Sequence, residues 1–266
     1  AQFYMDNVKL NWKADATIIE KTPEQMKEII TNEMEKWIGG MVYAGVTETG
    51  SVKAWNIVSN PLDKTMNEKT FKWSEYLGEE GYARTAVKIA RDTVKNVDVQ
   101  LDLFVSQTLS QYDEMGNRAE ELIALVKAWE EDGDTRIDGY NILLNAIYST
   151  GEAFQEGNEA VIIELFEKLA GTGKLIRISN LSVMVEDING NYIASNKMTE
   201  EQRAAAVSYM SFIMQQDRKL IPDDKQYGIS ISGITESATD YKLSPWTSDY
   251  NRNTMYEGII KGLGEE

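Results

Sequence analysis

Val99-Gln100-Leu101-Asp102-Leu103-Phe104-Val105 is largely an alternation of apolar and polar side chains. That is the pattern of a strand whose two faces meet different surroundings. An amphipathic stretch at 79–95 precedes it and another at 117–132 follows it. The same unit, a short strand and then a longer helix, recurs through the chain. Predicted strands cover 52–58, 99–105, 137–144, 174–183 and 227–234, and predicted helices 79–95, 117–132, 156–170, 199–219 and 253–262. Strands that alternate with helices of this length are joined by right-handed crossovers and form a parallel sheet. No G-x-G-x-x-G or G-x-x-x-x-G-K-[ST] follows any of the strands. An open nucleotide-binding sheet thereby loses its best signal, and a closed barrel is favoured.

Upstream, Thr22-Pro23-Glu24-Gln25 carries the signature of a capped helix start: Thr caps, Pro takes the first turn, and Gln reaches back to the cap. Met26, Ile29, Ile30, Met34, Trp37 and Ile38 form its apolar stripe, and Gly39-Gly40 is expected to stop it. Thr199-Glu200-Glu201-Gln202 repeats the capping chemistry. The opening run from Phe3 to Trp12 reads as one strand with no helix partner. Five repeats cannot close a barrel of eight, so further strands are expected to come from outside this chain.

Composition narrows the chemistry. Of 266 residues, 27 are Lys or Arg and 43 are Asp or Glu, a formal net charge of -16. That excess repels phosphate backbones and anionic lipid, so no nucleic-acid partner and no membrane insertion are expected, while a neutral ligand such as a sugar is compatible. Cysteine and histidine are both absent. Disulfides, thiolate nucleophiles, Cys/His metal sites and His-based triads are therefore excluded, and no metal or cofactor is expected. Acid–base work would fall to Asp, Glu, Lys or Tyr. Ala1-Gln2-Phe3-Tyr4 has no basic n-region and does not read as a signal peptide. A mature or truncated chain fits this start.

The order of motifs resembles glycoside hydrolase family 10. Trp55-Asn56-Ile57-Val58-Ser59-Asn60 is similar to the W-D-V-V-N-E that ends that family's fourth strand. Leu103-Phe104-Val105-Ser106 is similar to the fifth strand, and Ile137-Asp138-Gly139-Tyr140-Asn141-Ile142-Leu143-Leu144-Asn145 to the sixth, I-D-G-I-G-L-Q-x-H. Ile176-Arg177-Ile178-Ser179-Asn180-Leu181-Ser182-Val183 is similar to I-R-I-T-E-L-D-V of the seventh, and Gly228–Thr235 to the eighth. Asp249–Asn253 with Met255-Tyr256 is similar to the closing helix. The resemblance implies an α/β fold, a TIM (β/α)8 barrel with strands four to eight present, over 15–266. Residues 1–14 resemble the last strand of a β-sandwich carbohydrate-binding module, which some family members of gut Bacteroidetes carry inserted after the third barrel strand. The missing strands would then come from another fragment or chain.

By this resemblance Asn60 stands in the acid/base slot and Asn180 in the nucleophile slot, each a glutamate in the family. A retaining glycosidase needs two carboxyl groups about 5–5.5 Å apart, one to protonate the leaving oxygen and one to attack the anomeric carbon. A neutral amide does neither. The neighbouring slots differ as well: Ser59 stands for Asn, Leu143 and Asn145 for Gln and His, and Ser232 for Trp. The implied protein is a non-hydrolytic binder of polysaccharide or oligosaccharide, with no catalytic residue, placed outside the cell, on its outer surface or in the periplasm. Its expected ligand-binding residues are Ser59, Asn60, Asn145, Asn180, Glu236 and Trp246.

Two rival readings stay open. One is an active xylanase-like hydrolase with displaced carboxylates, drawn from Glu48, Asp63, Glu186, Asp187 or Glu236, all expected near strand C-termini where barrel sites are built. Solvated loop charge is the plainer account of each. The other is a scaffold whose barrel spaces attached binding modules. Trp73, Tyr112, Tyr148, Trp246 and Tyr250 are the aromatic candidates for stacking on sugar, against loop anchoring or burial. Trp37, Trp55 and Trp129 are expected in the core.

Overall fold

The computed structural model describes residues 20–48, 50–63, 72–111, 115–236 and 241–264. The strand expected at 1–14, and with it the module boundary, lies outside the described residues, as does Tyr112. The first helix begins as its sequence dictates. Thr22 Oγ1 accepts from Gln25 N–H at 3.3 Å, Gln25 Oε1 accepts from Thr22 N–H at 3.1 Å, and Pro23 opens α1 (Pro23–Met34).

Gly39-Gly40 does not stop it. The chain continues through a π-helical turn, Glu35–Gly39, into α2 (Gly40–Thr47) with right-handed backbone at both glycines. A Cβ at Gly39 would sit 3.4 Å from Thr93 Oγ1, an ordinary contact, and one at Gly40 would meet nothing within 4 Å, so both glycines ride within the helix without ending it. The extra residue in the π turn shifts the register of the stripe. Trp37, expected in the core, is thrown outward and is 68% exposed.

Beyond α2 the units follow in order: β1 (Ala54–Ser59), α3 (Trp73–Leu77), α4 (Gly81–Asn96), β2 (Asp102–Ser110), α5 (Met115–Glu130), β3 (Gly139–Ser149), α6 (Glu152–Ala170), β4 (Leu175–Glu186), α7 (Glu200–Leu220), β5 (Gln226–Ile231), β6 (Thr235–Glu236), β7 (Trp246–Thr247) and α8 (Thr254–Gly262). The five long strands form one parallel sheet in sequence order, and β6 and β7 pair separately. The fold is α/β, as expected, with strand and helix bounds within a few residues of the predicted ones.

One face of the sheet is dry. Leu103, Val105 and Leu109 of β2 share a buried cluster with Leu122, Val126 and Trp129 of α5 and with Leu165, Phe166 and Leu169 of α6. Trp129 is fully buried with its ring edge-on to Tyr82 at 6.0 Å, and Trp55 packs half-buried against the same cluster. The other face is concave. Asn141 of β3 donates to Asn56 of β1 at 3.2 Å across the intervening β2, and the Phe104 and Tyr227 rings of β2 and β5 meet at 4.8 Å. Side chains from strands that are not neighbours touch on one side only because the sheet curls toward that side, as a barrel wall does.

Glu48 is at the C-terminus of α2, before β1. It therefore lies at the opposite end of the strand from the rim where it was expected. Among the described residues no helix is long and apolar enough to cross a membrane.

Candidate functional site

Ser59 ends β1 and Asn60 follows it, Asn145 lies on β3, and Asn180 lies on β4 of the curled sheet. Asn60 follows directly on β1 and takes a left-handed backbone, φ 48°. Its N–H donates to Ser106 O at 2.7 Å, and its Oδ1 accepts from Thr108 N–H at 2.8 Å. The carboxamide thus stands in for the carbonyl that a further strand residue would offer β2. Ser59 accepts a hydroxyl hydrogen bond from Ser106 at 2.9 Å. The chain beyond Asn60 is pinned by Gln107, which accepts from Leu62 N–H at 3.2 Å, and by Arg118, which pairs with Asp63 at 2.6 Å.

Asn180 sits at an irregularity in β4. Pairing with β3 passes from Leu143–Ser179 to Asn145–Ser182, and pairing with β5 from Ile178–Ile229 to Leu181–Ile231. The residue absorbing the bulge has φ 49° and is exposed between buried Ser179 and Leu181. Non-glycine residues rarely adopt this region, and Asn is among those that do so most readily. Only four described non-glycine residues have positive φ: Asn60, Asp98, Asn180 and Tyr250. Asn60 and Asn180 are therefore both held by main-chain conformations that suit Asn.

Asn145 Oδ1 accepts from Ser182 Oγ at 3.0 Å and from Lys242 Nζ at 3.3 Å. Glu236 lies farther round the rim. Its carboxylate pairs with Arg203 at 3.0 Å and accepts from Asn253 Nδ2 at 2.7 Å, with the side chain 9% exposed. Trp246 is half-buried, N–H bonded to Ile234 O, with its ring against Tyr256 at 5.7 Å.

The remaining carboxylate candidates are occupied or misplaced for joint chemistry. Asp63 is tied to Arg118, and Glu186 is buried at the end of β4. Asp187 caps a turn, accepting from the N–H groups of Asn191 and Asn189; the Asn191 bonds foremost hold its carboxyl below the ordinary range. Among the described residues no group of His, Cys, Asp or Glu is arranged to hold a metal.

The aromatic candidates separate too. Tyr148 turns to the helix side, its ring 6.3 Å from Tyr209 of α7, because neighbouring strand residues point to opposite faces. It cannot border the concave face. Trp73 and Tyr250 are 42% and 78% exposed. Trp73 and Trp37 line a groove of about 710 Å³ that also reaches Met41, Ser59, Asn60 and Tyr82. Sequence reading missed this groove, since it depends on the register shift at the π turn. It also missed Lys242, which no motif marks.

No protein-family model and no curated protein sequence matches the chain. Solved structures do. A thermostable mutant of a xylanase from Cellvibrio japonicus superposes with TM-score 0.69 at 16% identity, over 91% of this chain and 72% of that one. A mutant xylanase 10C from the same organism, in complex with xylopentaose, gives 0.71 at 15%, over 93% of this chain and 50% of that one. Xylanase B from Clostridium stercorarium F9 gives 0.68 at 16%, over 91% and 70%. The chain spans half the length of the xylanase 10C. With the parallel order β1 to β5 and the curled face, these likenesses show that the chain folds as an α/β barrel of the glycoside hydrolase family 10 xylanase type.

Proposed function

We propose that this chain is a non-hydrolytic, glycan-binding member of the xylanase-like barrels, a pseudoenzyme whose rim cleft binds polysaccharide. One observation carries the reading: Asn60 and Asn180, which the sequence resemblance puts in the two glutamate slots, are both neutral and both in left-handed backbone. Neither amide protonates a glycosidic oxygen or forms a glycosyl ester, and losing an acid/base alone costs roughly 100- to 10,000-fold. The occupied states of Asp63 and Glu236 count against displaced carboxylates. Ser59, Asn60, Asn145 and Asn180 supply polar contacts, and Trp246 a half-buried ring. A polysaccharide is too large to enter a cell unaided, so the site works outside the cytoplasm, at the outer surface or in the periplasm.

The expected result is no release of reducing ends from xylan or cellulose, and no aryl-glycoside cleavage. The double variant N60E/N180E stays inactive, because Leu143 and Ser232 do not replace the family's polar groups. Its stability falls by about 2–3 kcal/mol, from about 1 kcal/mol of backbone strain at each site and the lost bond to Thr108. Reducing-end assays and denaturant titration read both. Robust turnover by either protein would overturn the proposal.

In the same reading, the barrel is completed by strands from another fragment or chain, and residues 1–14 end an inserted carbohydrate-binding module. β1 forms one edge of the sheet, and an uncovered edge beside an apolar groove invites association. Native mass spectrometry should show a second polypeptide or copy. A stable monomer of 30.0 kDa would rule this part out.

A further inference from the structure

The concave face has one donor-rich point that neither glutamate slot explains. Segment 241–243 runs antiparallel beside the end of β4: Lys242 bridges Met184, and Leu243 N–H donates to Val183 O at 3.3 Å. Bridged residues face the same side of a sheet, so the Lys242 side chain joins Ser182 and Met184 on the concave face. There Nζ donates to Asn145 Oδ1 at 3.3 Å, and Ser182 Oγ donates to the same oxygen at 3.0 Å. A carbonyl oxygen has two lone pairs, and both are now used. What this point still offers is hydrogens: those left on the Lys242 ammonium, and the Asn145 NH2.

Charge points the same way. Among the described residues Lys242 pairs with no carboxylate within 4.0 Å, in a chain of net charge -16. The spare hydrogens of the Lys242 ammonium and the Asn145 NH2, around a cation whose sole described partner is a neutral amide, favour a ligand that only accepts. An ionised carboxylate is that group.

The geometry points to Lys242 and Asn145 as the seat of a uronic-acid carboxylate, so that the cleft takes an acidic, glucuronic-acid-bearing β-glycan in preference to a neutral one. This rests on the glycan-binding reading above and names its ligand class. The test is calorimetric titration of the whole chain with a glucuronic-acid-substituted xylotetraose and with unsubstituted xylopentaose, at low salt and at 0.5 M NaCl. The substituted ligand should bind at least about tenfold tighter at low salt, as a hydrogen bond between charged partners allows. Salt should shrink that preference, K242M should abolish it, and K242R should retain part of it. Thermal melts of both variants check folding. Equal affinity for the two ligands, or a preference that survives in K242M, overturns the inference while leaving the glycan-binding cleft standing. No binding of either ligand overturns both.

Discussion

Asp138→Ala is expected to lower unfolding free energy by about 2–3 kcal/mol, the usual cost of leaving a buried donor unpaired and losing hydrogen bonds to a charged group. Asp138 begins the third strand unit with its side chain 5% exposed. Its Oδ2 accepts from Leu103 N–H at 2.8 Å and from Arg91, while Oδ1 accepts from Arg136 Nε at 2.9 Å. Alanine would leave a buried backbone donor without an acceptor and Arg91 without its counter-ion. Asp138→Asn keeps one acceptor and should cost less. Guanidinium titration monitored by tryptophan fluorescence reads the change. A loss below about 1 kcal/mol for the alanine variant would mean that water replaces the carboxylate readily.

Asp217→Asn should act in the opposite direction and raise stability at pH 7. Asp217 lies on the buried side of α7, 5% exposed, and burial pushes its carboxyl from an ordinary 3.8 up to about 6. Between these values the folded protein holds a proton that the unfolded chain has released. Stability therefore falls as pH rises from about 4 to about 6, and the whole cost is present above that window. A difference of roughly two units corresponds to a penalty of roughly 3 kcal/mol. Asparagine carries no charge to desolvate, so it should recover most of this and flatten the profile between pH 4 and 6. Urea titrations at pH 4, 5, 6 and 7 test it. An unchanged slope across that window would show that the carboxylate is solvated after all.

The barrel wall was legible because its signals are local. Thr22 and Thr199 announce their helices by capping chemistry that the structure repeats atom for atom. Ile137-Asp138-Gly139 was legible as a motif before its reason was visible. Asp138 ties two strands and two arginines, and a Cβ on Gly139 would sit 2.5 Å from Leu175 O and closer still to Phe104. Where reading failed, the decisive fact was an interaction beyond the local window. Gly39-Gly40 looks like a helix stop, yet both glycines keep right-handed backbone through the π turn, and that turn decides where Trp37 points. Glu48 was misplaced although it precedes the strand predicted at 52–58, and so falls at the start of β1 and not at its end. Tyr148 was misassigned by a single residue of strand parity. Asn60 and Asn180 could be read as chemical losses, but their left-handed backbone could not, since it follows from a strand end and from a bulge shared by three strands.

The order β1 to β5 has a consequence for how the chain assembles. Each long strand pairs only with the strand of the next unit along the chain, so every hydrogen-bonded ladder closes one helix-sized loop. The cross-face contacts, Asn56 with Asn141 and Phe104 with Tyr227, then fix the curvature from within. The arc behaves as a short linear array, in which any interior unit can nucleate and its neighbours zip on in turn. β3, flanked on both sides, should give up its amide protons last, and fraying should proceed inward from β1 and β5.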